Sequence, residues 1–330
     1  MPLTSSSPLL SIVMPSYNHG KYLQKRLDSL LQEMGEEDEL IIVDDASTDN
    51  SREITLLYAQ KDPRIQVILQ DKNQGYCKAV QVGLTQAHGT YLFLPAVDDV
   101  CFAGALKKTL AALQKHPQAV LCCSDFCSSL ERESKPPVLG SQPLLKQVCN
   151  TLYLSPQQVS EAIRKQDFLI PGHTSVIKRE TFIKYGGLNE LFGPHMDWFT
   201  MHEIALNEGV LYLPEPLFLM RFHGKNYSST GDINQYQRAI FKFLQQPIAK
   251  KTKKLFLQSK LMRIYTENQF LWVCLRPIHW CFLFNGFSYI LFKFFQKVFR
   301  SLPLKWRKII KSLLGMHYVP PEINFTIDQL

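Results

Sequence analysis

The chain has 330 residues, of which 45% are hydrophobic and 20% charged, and its formal net charge at pH 7 is +8. This composition supports a packed core, and an intrinsically disordered chain is not the default expectation. The length suits one large domain, or one domain with an appended region. Residues 1–8 lack a basic start followed by a long apolar run, so we expect no secretory signal here.

The cysteines predict free thiols in a reducing compartment. They stand at eight positions: Cys77, Cys101, Cys122, Cys123, Cys127, Cys149, Cys274 and Cys281. No pair has Cys-x-x-Cys spacing, and no second group of potential ligands follows the cluster at 122–127. A zinc site is therefore not expected.

Apolar strand patterns alternate with helical patterns through the first part of the chain. The predicted strands cover 9–15, 38–45, 64–70, 90–97 and 119–126, and the predicted helices cover 21–34, 51–60, 75–89 and 104–116. We expect Gly89 to end the third helix as the glycine that follows its last turn. The alternation predicts an α/β fold whose doubly wound, mostly parallel sheet is flanked by helices.

The pattern weakens after residue 128. The segment ESKPPVLGSQP contains three prolines and a glycine, which predicts a loop. A second mixed region is expected over about 168–225, and a helical, basic and aromatic tail over about 236–315.

Polar residues follow three of the predicted strands: Ser16-Tyr17-Asn18, Asp44-Asp45 and Asp98-Asp99. In a doubly wound sheet the ligand sits beyond the carboxyl ends of the strands, so these clusters are expected to share one crevice. Two adjacent buried carboxylates repel each other and are costly to desolvate. Their presence suggests that a divalent metal and a nucleotide diphosphate stand opposite them.

Four segments in order carry a specific pattern: SIVMPSYNHGKYLQKRLDSLL, ELIIVDDASTDNS, NQGYCKAVQVGLTQAHGTYLFLPAVDD and YGGLNELFGPHMDWFTMHEIALNEGVLYLPEPLFLMRFHG. Over residues 10–228 the chain resembles family 2 glycosyltransferases, inverting enzymes with the GT-A fold. It has no QxxRW-type motif and so looks unlike the processive synthases. The resemblance implies a nucleotide-sugar-binding half at 1–127, an acceptor-binding half at 128–235 and a helical C-terminal extension at 236–330.

The resemblance implies that Pro15, Tyr17, Asp45, Lys78 and Asp98 bind the nucleotide. Tyr17 offers an aromatic face to the base, Asp45 a carboxylate to a base N–H such as the uracil imide, and Lys78 a charge to the diphosphate. Each has a structural alternative. Tyr17 could be a buried residue at a strand end, the segment around Asp45 could cap a helix, and Lys78 could be a solvated helix residue.

Asp98 and Asp99 match the DxD region of the family. Asp99 would bind Mn²⁺ or Mg²⁺, and Asp98 would bind ribose or share the metal. The sequence departs from the common Asp-x-Asp-Asp form, because Ala96 takes the place of the first acid. The alternative is that the pair caps the helix predicted at 104.

Asp197 matches the family's general base, which removes the proton of the acceptor hydroxyl as it attacks the anomeric carbon. Met196 replaces the usual preceding acid, and an apolar neighbour would raise the pKa of Asp197. The alternative is a helix N-cap. Arg221 and His223 would bind diphosphate or, for His223, metal, and His173 would face the acceptor. A lone histidine is also compatible with a purely structural role.

The tail is basic and aromatic. Residues 250–311 contain fourteen Lys or Arg and one acid, Glu267. The sixteen residues 277–292 are rich in aromatics but fall short of the roughly 20 that span a bilayer. This pattern favours a segment lying on an anionic membrane surface over nucleic-acid binding. The alternative is a helical bundle that packs on the catalytic domain or on a second subunit.

These observations predict a cytoplasmic enzyme, peripheral on the inner face of the cell membrane. It would transfer a sugar from a nucleotide diphosphate, a UDP-sugar, to a glycan or lipid-linked glycan in bacterial surface polysaccharide synthesis. A nucleotidyltransferase is disfavoured because no Gly-rich, basic triphosphate loop follows the first strand. A catalytically silent scaffold, or a nucleotide- or glycan-binding protein, stays open because Ala96 and Met196 replace usual acids.

Overall fold

The computed structural model describes residues 8–222, apart from 133–134, 143, 146–147 and 167. Its strands are β1 Leu10–Ser16, β2 Glu39–Asp44, β3 Ile65–Leu69, β4 Tyr91–Phe93, β5 Val100–Cys101, β6 Leu121–Arg132, β7 Lys135–Gln142, β8 Leu152–Leu154, β9 Val176–Lys178 and β10 Val210–Phe222. Its helices are α1 Gly20–Glu33, α2 Ser51–Lys61, α3 Tyr76–Leu84, α4 Ala105–Lys115, α5 Pro156–Gln166, α6 Arg179–Lys184 and α7 Met196–Glu208. Short 3-10 turns cover Gly172–Thr174 and Glu190–His195.

The first four strands form the predicted parallel sheet in the order β3-β2-β1-β4. The register of β1 on β2 runs from Ser11 opposite Glu39 to Ser16 opposite Asp44. Both strands are buried on both faces because helices cover the sheet, which explains their continuous apolar sequence. The three strand ends that carry polar clusters therefore meet at one edge.

Helix α1 packs a stripe of leucines, Leu23, Leu27 and Leu30, into the core under this sheet. Two charged residues, Arg26 and Glu33, fall on the same face and are 1% and 6% exposed. Their burial requires polar partners, because an unpaired charge inside a core is costly. Those partners belong to the segment 99–106, so α1 holds that segment in place.

The second half of the chain makes the sheet mixed. Strand β9 inserts between β4 and β6 and is antiparallel to both, while β10 lies parallel to β6 and antiparallel to β5 and β8. The α/β sheet with flanking helices is thus confirmed; its parallel pairs are those among β1–β4 and the pair β6–β10, and the remaining pairs are antiparallel. Residue 127 lies inside β6, so strands on both sides of the predicted 127/128 boundary share one sheet.

Two local predictions are wrong. The segment predicted as a loop from its prolines forms β7, which pairs antiparallel with β6. Proline is tolerated in a strand at a sheet edge, where one side of the backbone needs no donor. Helix α3 ends at Leu84, five residues before Gly89, whose N–H instead donates to Ser11 Oγ at 2.7 Å.

The chain divides into two units, residues 1–232 and 233–330, and the second lies outside the described residues. The predicted helical extension and its membrane-binding face lie there, as do Cys274 and Cys281. The described cysteines, Cys77 to Cys149, are free thiols. None of the helices in the described part of the chain is long and apolar enough to cross a membrane.

Candidate active site

The loops after β1 and β2 are tied to each other and present an aromatic ring. Asn18 has a φ of 55°, its N–H donates to Ser47 Oγ at 3.0 Å, and its Oδ1 accepts the N–H of Thr48 at 2.8 Å. Pro15 lies within β1, opposite Val43. Tyr17, the next residue but one, is 43% exposed. A buried strand-end role for Tyr17 is excluded, and its ring is accessible to a ligand.

Asp45 holds the loop that precedes α3. Its Oδ1 accepts from Gln70 Nε2 at 3.0 Å and from the N–H of Gln74 at 2.8 Å, and its Oδ2 accepts from the N–H of Gly75 at 2.8 Å. Asp45 caps none of the helices described. That role belongs to Asp49, which accepts the N–H groups of Ser51 in α2 and Gly20 in α1. The Asp45 carboxylate is therefore fixed at the crevice by three donors.

Asp44, the other acid of the pair, is directed to a structural ion pair. Its Oδ2 lies 2.7 Å from Arg52 Nε, and the same oxygen accepts the N–H of Ser47. The Arg52 guanidinium also donates to the carbonyl of Gln70 at 2.6 Å. Asp44 and Asp45 thus have different structural roles. Asp44 secures α2 to the sheet, and Asp45 shapes the loop at 70–75.

Asp98 and Asp99 are both buried, at 8% and 6% exposure. Asp99 Oδ1 accepts the N–H of Arg221 at 3.1 Å, which joins the acidic pair to β10. Burial and the neighbouring charge of Asp98 raise the pKa of Asp99 to about 7. The arrangement places two carboxylates where a bound cation would lower the cost of ionising both.

The alternative that this acidic pair caps α4 is excluded. The first residues of that helix are served by Glu33 of α1, whose Oε1 accepts the N–H of Gly104 at 2.7 Å and whose Oε2 accepts the N–H of Leu106 at 3.2 Å. The N–H groups of Gly104 and Leu106 therefore have their acceptor in Glu33 and not in the acidic pair.

Sequence reasoning missed Arg26, a fully buried guanidinium beneath the acidic pair. Its Nη1 donates to the carbonyl of Asp99 at 3.2 Å and to Cys101 Sγ at 3.5 Å. On the side of β10, the Arg221 guanidinium lies over the Tyr22 ring at 5.7 Å. The available signal was the position of Arg26 on the apolar stripe of α1, three residues after Leu23 and four before Leu30.

His173 lies in the 3-10 turn Gly172–Thr174, and its Nε2 is buried without a hydrogen-bond partner. Its ring meets Phe126 edge-on, with centroids 5.0 Å apart. Burial lowers the pKa of His173 to about 4, opposed by the charge of Asp98 and reinforced by that of Arg26. His173 therefore belongs to the surroundings of the acidic pair.

Asp197 is the second residue of α7 and is half-buried. Burial raises its pKa to about 6, although N–H groups of the first helical turn, including that of Trp198, oppose the shift. The preceding Met196 is 3% exposed. The carboxylate rests against Gly172, where an added Cβ would stand 2.2 Å from Asp197 Oδ2. Capping and a role as base are both compatible with this geometry.

The turn Gly172–Thr174 interacts with both the candidate base and the acidic pair. Gly172 contacts Asp197, and the charge of Asp98 raises the pKa of His173 against the effect of burial. Lys78 forms an exposed ion pair. Its Nζ is 3.5 Å from Glu190 Oε1 and 3.3 Å from Gln81 Oε1, and its side chain is half exposed. His223 lies outside the described residues.

The acidic pair offers two carboxylates to a divalent cation. No group of three His, Cys, Asp or Glu side chains in the described ranges is placed to hold a metal. Two hard carboxylates remain, which suits a Mg²⁺ or Mn²⁺ ion that completes its shell with water and substrate phosphate. The residues present fit a metal shared with the substrate and do not form a complete protein cage.

The sequence profile described as "Glycosyl transferase family 2" matches residues 11–186, more than half of the chain. The chain belongs to glycosyltransferase family 2. The matched range contains β2 to β9 and all of β1 except Leu10, and hence Tyr17, Asp45, the acidic pair and His173, whereas Asp197 and Arg221 lie beyond it.

The family 2 chain spans 31% to 44% of the length of four curated bacterial relatives. One is TuaG of Bacillus subtilis, named as a teichuronic acid biosynthesis glycosyltransferase, which is 36% identical over 108 residues, or 33% of this chain and 43% of TuaG. Another, an uncharacterized glycosyltransferase of Haemophilus influenzae, is 27% identical over 237 residues, or 70% of this chain and 74% of the relative.

Solved structures share the fold of this family 2 glycosyltransferase. Staphylococcus aureus TarS 1-349 in complex with UDP-GlcNAc superposes with a TM-score of 0.59 at 18% identity, covering 80% of this chain and 78% of TarS. The mannosyltransferase PcManGT of Pyrobaculum calidifontis, in complex with GDP-Man and Mn²⁺, gives 0.54 at 14% identity and covers 94% and 85%. These likenesses confirm the GT-A fold.

Proposed function

We propose that this family 2 glycosyltransferase transfers one sugar, with inversion, from a UDP-sugar to a glycan or lipid-linked glycan in bacterial surface polysaccharide synthesis. The observation that carries the proposal is the turn Gly172–Thr174, in which Gly172 lies against the carboxylate of Asp197 and the charge of Asp98 acts on the pKa of His173. A candidate base and a candidate diphosphate site are thereby neighbours. The name of TuaG supports the polysaccharide setting.

The base of the donor binds at the ends of β1 and β2 in this proposal. The exposed Tyr17 ring stacks on the base beside Pro15, and stacking of this kind contributes on the order of 1–3 kcal/mol. Asp45 accepts the base N–H, since its carboxylate is already held in one orientation by Gln70, Gln74 and Gly75. The UDP-GlcNAc bound to TarS supports the choice of a UDP-sugar.

The diphosphate lies at the acidic pair. Asp99 and Asp98 would hold Mn²⁺ or Mg²⁺, and Asp98 would also reach the ribose. When bound, the metal neutralises the negative charge that develops on the departing diphosphate. Arg26 holds the main chain of Asp99 and the N–H of Arg221 holds its carboxylate, so the pair is oriented before substrate arrives. The Mn²⁺ in the PcManGT complex supports this assignment.

Asp197 acts as the general base. It accepts the proton of the acceptor hydroxyl as that oxygen attacks the anomeric carbon on the face opposite the leaving diphosphate. A raised pKa of about 6 suits this task, because the carboxylate is ionised at neutral pH yet binds a proton more readily than an ordinary aspartate.

Three further residues have supporting roles. Arg221 and Lys78 stabilise the diphosphate, which for Lys78 requires exchange of its exposed ion pair with Glu190 for substrate phosphate. His173 faces the acceptor with its unpartnered Nε2. We propose the same diphosphate or metal role for His223, and attachment of the basic tail to the inner face of the cell membrane.

The test is thermal unfolding of the protein with UDP, GDP, CDP and dTDP, with and without Mn²⁺, beside the variant Asp99→Asn. A ligand present at 100 times its dissociation constant adds about 2.7 kcal/mol of stability. We expect UDP with Mn²⁺ to raise the melting temperature of the wild type but not of Asp99→Asn. Stabilisation by a different nucleotide would overturn the choice of UDP.

Turnover of a panel of UDP-sugars separates the enzyme from a silent scaffold. We expect slow release of UDP with water as acceptor, abolished in Asp197→Asn while UDP binding persists. A well-folded wild type that binds UDP but releases none from any sugar of the panel, with or without glycan acceptors, would favour the nucleotide-binding alternative. That outcome would make Ala96 and Met196, which replace usual acids of the family, the leading explanation for the lack of activity.

A further inference from the structure

We propose that Gly172 and His202 are positioning residues that fix the carboxylate of Asp197, an inference that rests on the proposed role of Asp197 as base. Neither residue is proposed to touch the substrate. The carboxylate of Asp197 packs directly against Gly172. His202, on the helix that carries Asp197, bonds to Ile170 in the segment before Gly172.

The contact between Gly172 and Asp197 leaves no room for a side chain. A Cβ added at Gly172 would lie 2.2 Å from Asp197 Oδ2 and 2.7 Å from its Cγ, and ordinary contact begins at 3.4 Å. The carboxylate would have to move by about 1 Å. The backbone of Gly172 lies outside the positive-φ region, so alanine there meets no conformational strain of its own. The space occupied by Asp197 is thus what requires glycine at this position.

His202 ties the two segments together from within the core. It is 0% exposed, its Nδ1 lies 2.8 Å from the carbonyl of Trp198, and its Nε2 accepts the N–H of Ile170 at 3.2 Å. Because Nε2 accepts, Nδ1 carries the hydrogen and donates to Trp198. The first bond reaches the residue next to Asp197, and the second reaches the residue two before Gly172. The imidazole of His202 therefore links α7, which carries Asp197, to the segment that leads into Gly172.

This arrangement matters chemically because a base must stand within hydrogen-bond reach of the proton that it removes. A misplacement of about 1 Å can cost roughly a hundredfold in rate. Asp197, Ile170 and Trp198, which Gly172 and His202 contact, are not among the residues proposed to bind the donor. Loss of these contacts should therefore slow turnover and leave donor binding intact.

The experiment compares Gly172→Ala with Gly35→Ala, whose Cβ would meet Asp38 Oδ2 at an ordinary 3.4 Å. UDP release from the best UDP-sugar of the panel is measured with Mn²⁺, together with the UDP-induced thermal shift. We expect Gly172→Ala to lower kcat about a hundredfold, with the donor KM changed less than twofold. Gly35→Ala should match the wild type. A Gly172→Ala variant with wild-type kcat would overturn the inference.

A second pair of variants tests the bridge even if Gly172→Ala fails to fold. His202→Gln places an acceptor near the position of Nε2 and can keep the bond from Ile170, whereas His202→Asn can keep only the bond to Trp198. We expect kcat within a few-fold of wild type for His202→Gln and a loss of at least tenfold for His202→Asn. Equal kcat for the two variants would contradict the bridging role.

Asp197→Asn separates this inference from the proposed function. If Asp197→Asn retains kcat, the assignment of the base is wrong whatever the other variants do. If Asp197→Asn is inactive while Gly172→Ala and His202→Asn both turn over normally, the base stands and the positioning role falls.

Discussion

Arg26 Nη1 donates a hydrogen bond to the main-chain carbonyl of Asp99 at 3.2 Å, and the guanidinium is almost completely buried. The bond attaches α1 to the acidic turn that follows β4. The positive charge of Arg26 lowers the pKa of Asp99, whereas burial and the charge of Asp98 raise it. Arg26 of the first helix thus holds the main chain at the acidic pair of the candidate metal site.

We predict that Arg26→Met weakens Mn²⁺-dependent UDP binding and lowers stability by a few kcal/mol. Removal of the guanidinium leaves the buried carbonyl of Asp99 without its donor, which costs about 1–3 kcal/mol. Urea unfolding and titration with UDP and Mn²⁺ measure the two effects. Arg26→Lys keeps the charge and should fall between the wild type and Arg26→Met. If Arg26→Met binds UDP and Mn²⁺ like the wild type, Arg26 contributes only to packing.

Glu33 offers a test of stability that leaves the candidate site untouched. Its two oxygens accept the N–H groups of Gly104 and Leu106, and glutamine has only one carboxamide oxygen. We predict that Glu33→Gln costs about 1–2 kcal/mol, as expected when a helix loses a capping partner. The midpoint of urea unfolding measures it, and Glu37→Gln, at an exposed position of the following loop, is the control. Equal midpoints for the two variants would exclude the capping role.

Arg26 and Glu33 also show where prediction from sequence stopped. The apolar spacing of α1 predicted the helix and its buried face, and the alternating pattern predicted β1 to β4 with their polar ends. The two charges on that face led to no prediction, and their partners at 99–106 are about 70 residues away. Nothing local in the sequence names such a partner, because only the folded sheet brings the segments together.

The second half was harder to predict for a related reason. Strand β9 has three residues and lies between β4 and β6, which precede it by many residues. A strand this short has no periodicity to detect, and its antiparallel pairing follows from the tertiary arrangement. The contact between Asp197 and Gly172 likewise joins two segments that are distant in the sequence, and no local pattern predicts it.

Tyr17 gives a prediction for donor binding. The ring is 43% exposed beside the loop that Asn18 and Ser47 hold in place. We predict that Tyr17→Ala raises the dissociation constant of UDP by about 5- to 150-fold, which corresponds to the loss of about 1–3 kcal/mol of stacking. Isothermal titration measures the change. Tyr17→Phe retains the aromatic face and should bind like the wild type, whereas equal weakening by both variants would assign the effect to the hydroxyl.

Asp197 gives a prediction for pH dependence. A base with a pKa of about 6 is active when ionised, so kcat/KM should fall as the pH is lowered through 6. The folded-state pKa lies above the ordinary value of 3.8, so the folded protein binds the proton more tightly than the unfolded chain. The contribution of Asp197 to stability is therefore present below about pH 4 and is lost as the pH rises through 6.

Both consequences are measured with one variant. At saturating Mn²⁺, which keeps the acidic pair ionised, UDP release is followed between pH 5 and 8, and urea unfolding is followed between pH 4 and 7. Asp197→Asn should be inactive at every pH, and its stability should decline less than that of the wild type between pH 4 and 6. A wild type whose kcat/KM stays constant down to pH 5 would show that the group acting as base has an ordinary pKa, and the burial of Asp197 would then have no part in its reactivity.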